Sequence, residues 1–255
     1  MQIIRRGEVV STMDECRALY ASGVREITAV SADAQTGGRG RVGRSWFSPA
    51  GAAVYLSVLL PYAIDARLAN RYTMLGALAV VEAITPFVRP GTRVSIKWPN
   101  DVLLNGRKVA GVLVESSLLG EFTEYSVLGI GVNVNVDFAD APDDVRARAC
   151  SLHEVAAGSV SRDDVLLRLA DMVERRSVRF LDAPQEILAE YRAHLATIGA
   201  VVSVVIDGRQ LDGRALRVED DGALVVQAGG EEHVVRYGDL RNDGTFETKE
   251  TYPAS

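Results

Sequence analysis

Residues 37–46 read Gly-Gly-Arg-Gly-Arg-Val-Gly-Arg-Ser-Trp. Glycine loses more backbone freedom on ordering than any other residue, so this run is expected to be too flexible to hold one conformation unaided. Arg39, Arg41 and Arg44 place three fixed positive charges in six positions, and these repel one another in a collapsed loop unless something anionic lies between them. Trp46 closes the run with a flat apolar face suited to covering a ring. The pattern predicts a phosphate clamp that folds around its ligand. Gly38, Gly40 and Gly43 also fit G-x-G-x-x-G, the fingerprint of a dinucleotide-binding oxidoreductase. That motif needs its third glycine to open a helix, whereas here Pro49 and Gly51 intervene before a β-prone stretch at 53–60. An arginine/glycine-rich RNA-binding segment is the other alternative; those are long and repetitive, and this one is short and flanked by strands.

Upstream of the loop, Ser11 and Thr12, followed by Asp14 and Glu15, form an N-cap region for a helix ending near Gly23. Residues 26–32 read as a strand feeding the loop. Downstream, residues 65–88 carry Leu68, Tyr72, Leu75 and Ala79 at helical spacing and end around Pro86. Residues 93–98 read as a strand, and 102–115 as a hairpin turning at Asn105-Gly106. In 128–135, Leu128, Ile130, Val132 and Val134 alternate with Gly129, Gly131, Asn133 and Asn135. Glycine inside a strand marks close approach by a ligand or another backbone; a ligand floor is favoured, with tight packing under a neighbouring element as the alternative. Residues 161–181 and 184–196 read as helices without obvious chemistry.

Beyond residue 199 the composition shifts. Short valine-rich runs over 201–237 are broken by Asp207-Gly208, Asp221-Gly222 and Gly229-Gly230, which are hairpin signals. The expected organisation is α+β: a larger domain of helices and strands at 1–198, then a small β-barrel at 199–255.

The chain has 255 residues and a formal net charge of −6, which argues against general nucleic-acid affinity. Cys16 and Cys150 lack metal-ligand spacing and read as reduced thiols of a cytoplasmic protein. Arg67, Arg71 and Glu82 interrupt the longest apolar stretch, so no membrane partner is expected. Two further clusters carry chemistry. Lys97-Trp98-Pro99-Asn100-Asp101 brings a lysine, an amide and a carboxylate together at a proline turn, and Lys108-Val109-Ala110-Gly111 opens the return strand. A solvated surface charge is the alternative for Lys97, and turn capping for Asp101.

Ser11-Thr12, the stretch from Gln35 to Trp46, Lys97 to Asp101, Lys108 to Glu115, and Gly129 to Asn133 together, and in this order, resemble the biotin protein ligases. The resemblance covers the first 135 residues, and the β-rich tail fits the family's C-terminal SH3-like barrel. It implies a catalytic domain with a mixed sheet flanked by helices, ATP and Mg²⁺ as cofactors, biotin as substrate, and a biotin carboxyl carrier protein of a biotin-dependent carboxylase as partner. Biotin's carboxylate attacks the α-phosphate, and a carrier lysine then takes the acyl group from biotinyl-5′-AMP. By resemblance, Ser11, Thr12, Gln35, Arg39, Gly40, Arg41, Lys108, Gly129 and Gly131 bind biotin. Arg41, Arg44, Trp46, Lys97, Asn100 and Asn133 face the adenylate, Lys108 and Arg41 are catalytic, and Asp101 is the magnesium carboxylate. Some family members carry an N-terminal winged helix-turn-helix; with ten residues ahead of Ser11, none is expected here, nor specific DNA binding. The family pattern follows Ser-Thr with Asn, where this chain has Met13 and then Asp14. Lipoate–protein ligases are the nearest alternative, a non-catalytic ligand-binding regulator a more distant one. Monomer and homodimer are both open.

Overall fold

The computed structural model describes residues 1–206, 209–236, 238 and 240. Its larger sheet has seven strands: β1 (Gln2–Val9), β2 (Thr28–Gln35), β3 (Ala53–Leu60), β4 (Val94–Lys97), β5 (Asp101–Leu104), β6 (Arg107–Leu119) and β7 (Phe122–Asn133). Their spatial order is β1-β2-β3-β7-β6-β5-β4. β1 pairs parallel with β2, and the other neighbours are antiparallel. The sheet is therefore mixed, as the family resemblance implied.

The two faces differ. On one, Val54, Leu56, Val58 and Leu60 of β3, with Leu128, Ile130 and Val132 of β7, join an apolar core with α2 (Asn70–Ile84), α4 (Arg162–Asp182) and α5 (Pro184–His194). On the other, α1 (Thr12–Ala21) packs Met13 and Cys16 against Val30, Leu59 and Val127. Period-two alternation sends the glycines of β7 to this second face. The site therefore opens beside α1, while the helical layer behind the sheet is left as scaffold.

Local chemistry sets the boundaries. Ser11 caps α1 by accepting from the Met13 N–H at 3.3 Å, and Gly23, at φ +102°, follows the helix end. The hairpin between β5 and β6 turns at Asn105 (φ +49°) and Gly106 (φ +85°), the left-handed pair that a two-residue turn requires. Residues 65–88 are not one helix: a 3-10 turn at Ala66–Leu68 precedes α2, and another at Thr85–Phe87 follows it, where Pro86 cannot continue the ladder. The strand expected at 26–32 runs Thr28–Gln35 instead, and Asn135 lies past the end of β7. β1 has no counterpart in the sequence reading, because Arg5, Arg6 and Glu8 break any apolar alternation on this edge strand.

The smaller sheet is antiparallel with order β11-β10-β9-β8, formed by β8 (Val201–Ile206), β9 (Arg209–Val218), β10 (Leu224–Ala228) and β11 (Glu231–Val235). The turns expected at Asp221-Gly222 and Gly229-Gly230 are present, with positive φ at all three glycines. The Asp207-Gly208 turn, Tyr237 and the tail after 240 fall outside the described residues. Val202, Val204, Leu224 and Val226 share the main apolar core with the larger sheet, and the Trp98 indole donates to Gly222 O at 3.0 Å.

Candidate active site

A cleft of about 120 Å³ lies on the α1 face between the helix N-terminus, the glycine–arginine loop and strands β6 and β7. Ser11, Thr12, Gln35, Arg39, Gly40, Arg41, Arg44, Trp46, Asn100, Asp101, Lys108, Gly129 and Gly131 all line it. Residues from five separated stretches thus converge on one cavity. Lys97 and Asn133 do not line this cleft; they line an adjoining cavity of about 860 Å³, which shares Arg44, Trp46, Asn100, Asp101 and Lys108 with it.

At the α1 end the groups are fastened to one another. The Thr12 N–H donates to Gln35 Oε1 at 2.9 Å and the Thr12 hydroxyl donates to the same oxygen at 3.1 Å. Thr12 has one hydroxyl proton, so the 2.7 Å contact with Ser57 Oγ is a bond that Ser57 donates. The chain directs the Gln35 carbonyl toward Thr12, leaving its amide NH₂ as the donating end. Arg39 forms a two-pronged pair with Asp14, both bonds 3.0 Å, and its Nε lies 3.4 Å from Glu115. The Arg39 guanidinium is the main reason the Asp14 carboxyl is held below the usual carboxylate range; Asp14 in turn raises Arg39. Protein carboxylates therefore answer the charge of Arg39, a neutralisation the sequence reading had reserved for ligand.

The loop itself is folded back. Gly40 N–H donates to Arg44 O at 2.6 Å, Trp46 N–H to Gly38 O at 2.9 Å, and Arg39 bridges to Ser45. A short 3-10 turn, Arg41–Gly43, forms the tip, with Gly43 at φ +70°. Backbone bonds between its two limbs give the run a hairpin-like form. Arg41 Nη1 reaches Asn100 Oδ1 at 3.5 Å and Gly238 O at 3.3 Å.

At the far end, Lys108 Nζ lies 2.6 Å from Asp101 Oδ1 and 5.1 Å from the Trp46 ring centre. The pairing of β5 with β6 shifts register between Val102 and Leu103, and Lys108 stands opposite Leu103. Asn100 donates to Val112 O at 2.7 Å, Asn133 to Cys150 O at 3.1 Å, and Lys97 to Leu240 O at 2.8 Å. Among the described residues no group of three or more His, Cys, Asp or Glu is placed to hold a metal.

The tight-packing reading of the glycine strand is met here. Gly129 and Gly131 line the cleft, yet a Cβ on Gly131 would sit 2.6 Å from Trp46 Cε2, and one on Gly129 2.8 Å from Met13 Sδ. Gly111 stands opposite Gly131 across β6, and its Cβ would lie 2.9 Å from the same indole. The two glycines form a trough seating Trp46, whose buried Nε1 has no hydrogen-bond partner among the described residues. Sequence reasoning missed Ser57, Glu115, Leu113 and the lining role of Met13. Met13 left a signal as the departure from the family's Asn, and Ser57 as the one small polar residue of the buried run Ala53–Leu60.

Cys16 and Cys150 are unpaired and buried, and burial pushes the Cys150 thiol up to about 11. No described helix is long and apolar enough to cross a membrane.

A sequence profile of the biotin/lipoate A/B protein ligase family matches residues 11–133. The chain is 34% identical over 234 residues to the biotin–[acetyl-CoA-carboxylase] ligase of Mycobacterium tuberculosis, covering 90% of this chain and 85% of that one. It is 31% identical over 228 residues to the bifunctional ligase/repressor BirA of Bacillus spizizenii, covering 88% and 69% respectively. The structure of the Aquifex aeolicus biotin protein ligase in complex with biotin and ATP matches with a TM-score of 0.76 at 26% identity, over 95% of this chain and 99% of that chain.

Proposed function

Because the chain belongs to the biotin protein ligases of the biotin/lipoate A/B protein ligase family, we propose that its cleft activates biotin with ATP at one end and holds the ring system at the other. In the first step a biotin carboxylate oxygen bonds to the α-phosphorus and pyrophosphate leaves. In the second, the amine of a carrier-protein lysine attacks the acyl carbon and AMP leaves. The observation that carries the assignment is the polarity of one cavity. Its α1 end presents hydroxyls and an amide, its middle is glycine-floored, and its far end holds Lys108, Asp101, Arg41 and Arg44.

Biotin's ureido group has two N–H donors and a carbonyl acceptor, and it needs partners of both kinds. The Gln35 amide NH₂ supplies a donor, and Ser11 and Thr12 supply hydroxyl oxygens beside it. The narrow floor at Gly129 admits the apolar chain. Lys108 and Arg41 stabilise the negative charge that builds as two anions meet; donors fixed in advance for this purpose carry much of the rate in such sites. Trp46, seated in its trough, covers the nucleotide side and excludes water from the mixed anhydride. Arg44, Lys97, Asn100 and Asn133 line the adjoining cavity, which suits the adenosine portion.

Asp101 is the residue we assign to magnesium. Mg²⁺ usually takes one or two protein carboxylates and fills its shell with substrate phosphates and water, and Asp101, the one carboxylate among the described residues that lines both cavities, fits that donor set. When bound, the ion supplies charge to the phosphate oxygens. Lys108, which holds Asp101 at 2.6 Å here, keeps that carboxylate aimed into the cleft.

The deciding assay is pyrophosphate release from ATP with biotin, with lipoate and with neither. Biotin-dependent release and labelling of a carrier domain are expected. Lipoate-dependent release would move the chain to the other branch of the family, since lipoate's dithiolane offers nothing to the Thr12–Gln35 end.

A further inference from the structure

We infer that Asp14 and Glu115, which do not themselves line the cleft, are positioning residues that set its affinity for biotin by clamping Arg39; the inference rests on the biotin-ligase reading above. The clamp is a ring of four charges. Asp14 and Arg17 come from the first turns of α1, Arg39 from the entry of the loop, and Glu115 from the middle of β6. Arg39 binds Asp14 through both terminal nitrogens and approaches Glu115 through Nε. Arg17 closes the ring by pairing with Asp14 and with Glu115. Each carboxylate therefore meets both guanidiniums.

The ring is too exposed to serve chiefly as a stabiliser. Its members are 32–39% exposed, and ion pairs at that exposure contribute little to folding. Its geometry is specific all the same, because a planar guanidinium forked onto a carboxylate fixes direction as well as distance. The direction matters because of what Arg39 adjoins. Gly38, just before it, packs against the Gln35 amide: a Cβ there would lie 3.1 Å from Gln35 Nε2. Asp14 sits two residues past Thr12, whose N–H and hydroxyl hold the Gln35 carbonyl. One clamp thus ties the loop entry to the helix turn that orients the ring-binding amide. Since Asp14 and Glu115 offset the charge of Arg39, the end of the cleft they serve is close to neutral, which suits an uncharged ureido ring better than a phosphate.

The test compares wild type with Asp14→Asn, Glu115→Gln and Asp14→Glu, using pyrophosphate release with biotin and ATP varied separately and calorimetric binding of biotin alone. Losing one charge-assisted fork should raise the biotin Kd and KM about tenfold in Asp14→Asn. The ATP KM and kcat should change little, and Asp14→Glu should recover most of the loss. Arg17→Gln, which opens the far side of the ring while leaving both carboxylates, should give a smaller rise. Should Asp14→Asn fail to fold, Glu115→Gln and Arg17→Gln carry the same comparison. Unchanged biotin affinity in the folded variants, or an equal loss toward ATP, overturns the inference. Wild-type protein that neither binds biotin nor releases pyrophosphate with it overturns the ligase reading itself, before any variant is compared.

Discussion

The two ends of the cleft are built differently. At the α1 end the groups are joined to one another: Thr12 with Gln35 and Ser57, Arg39 with Asp14 and Glu115. At the far end, the Lys108–Asp101 pair stands beside an indole whose buried N–H has no partner among the described residues. A buried donor without an acceptor is costly, so the far end gains most when a ligand or a loop movement supplies one. Under the proposed reading, the difference matches the chemistry asked of each. Recognition of a small rigid ring benefits from groups fixed beforehand. Adenylation adds a need for cations held in advance where charge develops.

The largest expected effect tests the far end. Lys108→Ala should slow adenylation by about 10²–10³, the scale of removing one preorganised donor, with the melting temperature nearly unchanged because an exchangeable ion pair adds little stability. Stopped-time pyrophosphate release reads this, and near-wild-type release from folded protein would remove Lys108 from the catalytic list.

Gly131→Ala should come next, with adenylation falling by about tenfold as Trp46 is displaced from its working position. The new Cβ would meet the rigid indole at 2.6 Å. Iodide quenching separates the tryptophans, since Trp98 is only 3% exposed and should stay protected while Trp46 opens. Gly129→Ala is the control: its Cβ meets the flexible thioether of Met13, which can turn aside, so the loss should be smaller. A larger effect at Gly129 would show that the floor under Met13, not the indole trough, limits the reaction.

Gln35→Ala should raise the biotin KM by about tenfold or more, because a site that hydrogen-bonds a polar group loses that bond and leaves Thr12 unsatisfied. The ATP KM should hold, and steady-state kinetics with each substrate varied reads both. If ATP were affected equally, the two ends would not be separate.

The smallest effect is structural. Ser57→Ala removes one buried hydroxyl bond to Thr12 and should cost about 1 kcal/mol, read as a drop of a few degrees by calorimetry. An unchanged melting point would mean that the Thr12–Gln35 pair holds itself without Ser57.

Much of this architecture is legible in the chain because its signals are local. The Asn105-Gly106 turn, the Ser11 cap, the stop at Pro86 and the alternation through β7 depend on backbone preferences of a few adjacent residues, and each appears where those preferences put it. The site residues of the arginine loop, the Lys97–Asp101 turn and the Lys108 strand were legible as chemistry in the same way. The boundaries of β2, the breaks around α2 and the existence of β1 were not, since Arg5, Arg6 and Glu8 hide an edge strand whose pairing comes from β2.

By itself, then, the sequence determined most of the elements, their turns and which family the motifs resemble, because those follow from turn chemistry, periodicity and short spaced patterns. Tertiary structure decided who neutralises whom. Asp14 and Arg39 are 25 positions apart and Arg17 and Glu115 are 98 apart, so no window of sequence contains the clamp. The same holds for the trough. Gly111 and Gly131 become neighbours only when β6 pairs with β7, and only then is there room for Trp46. Charge and steric complementarity act through space over a few ångströms, and it is the folded sheet that sets those distances.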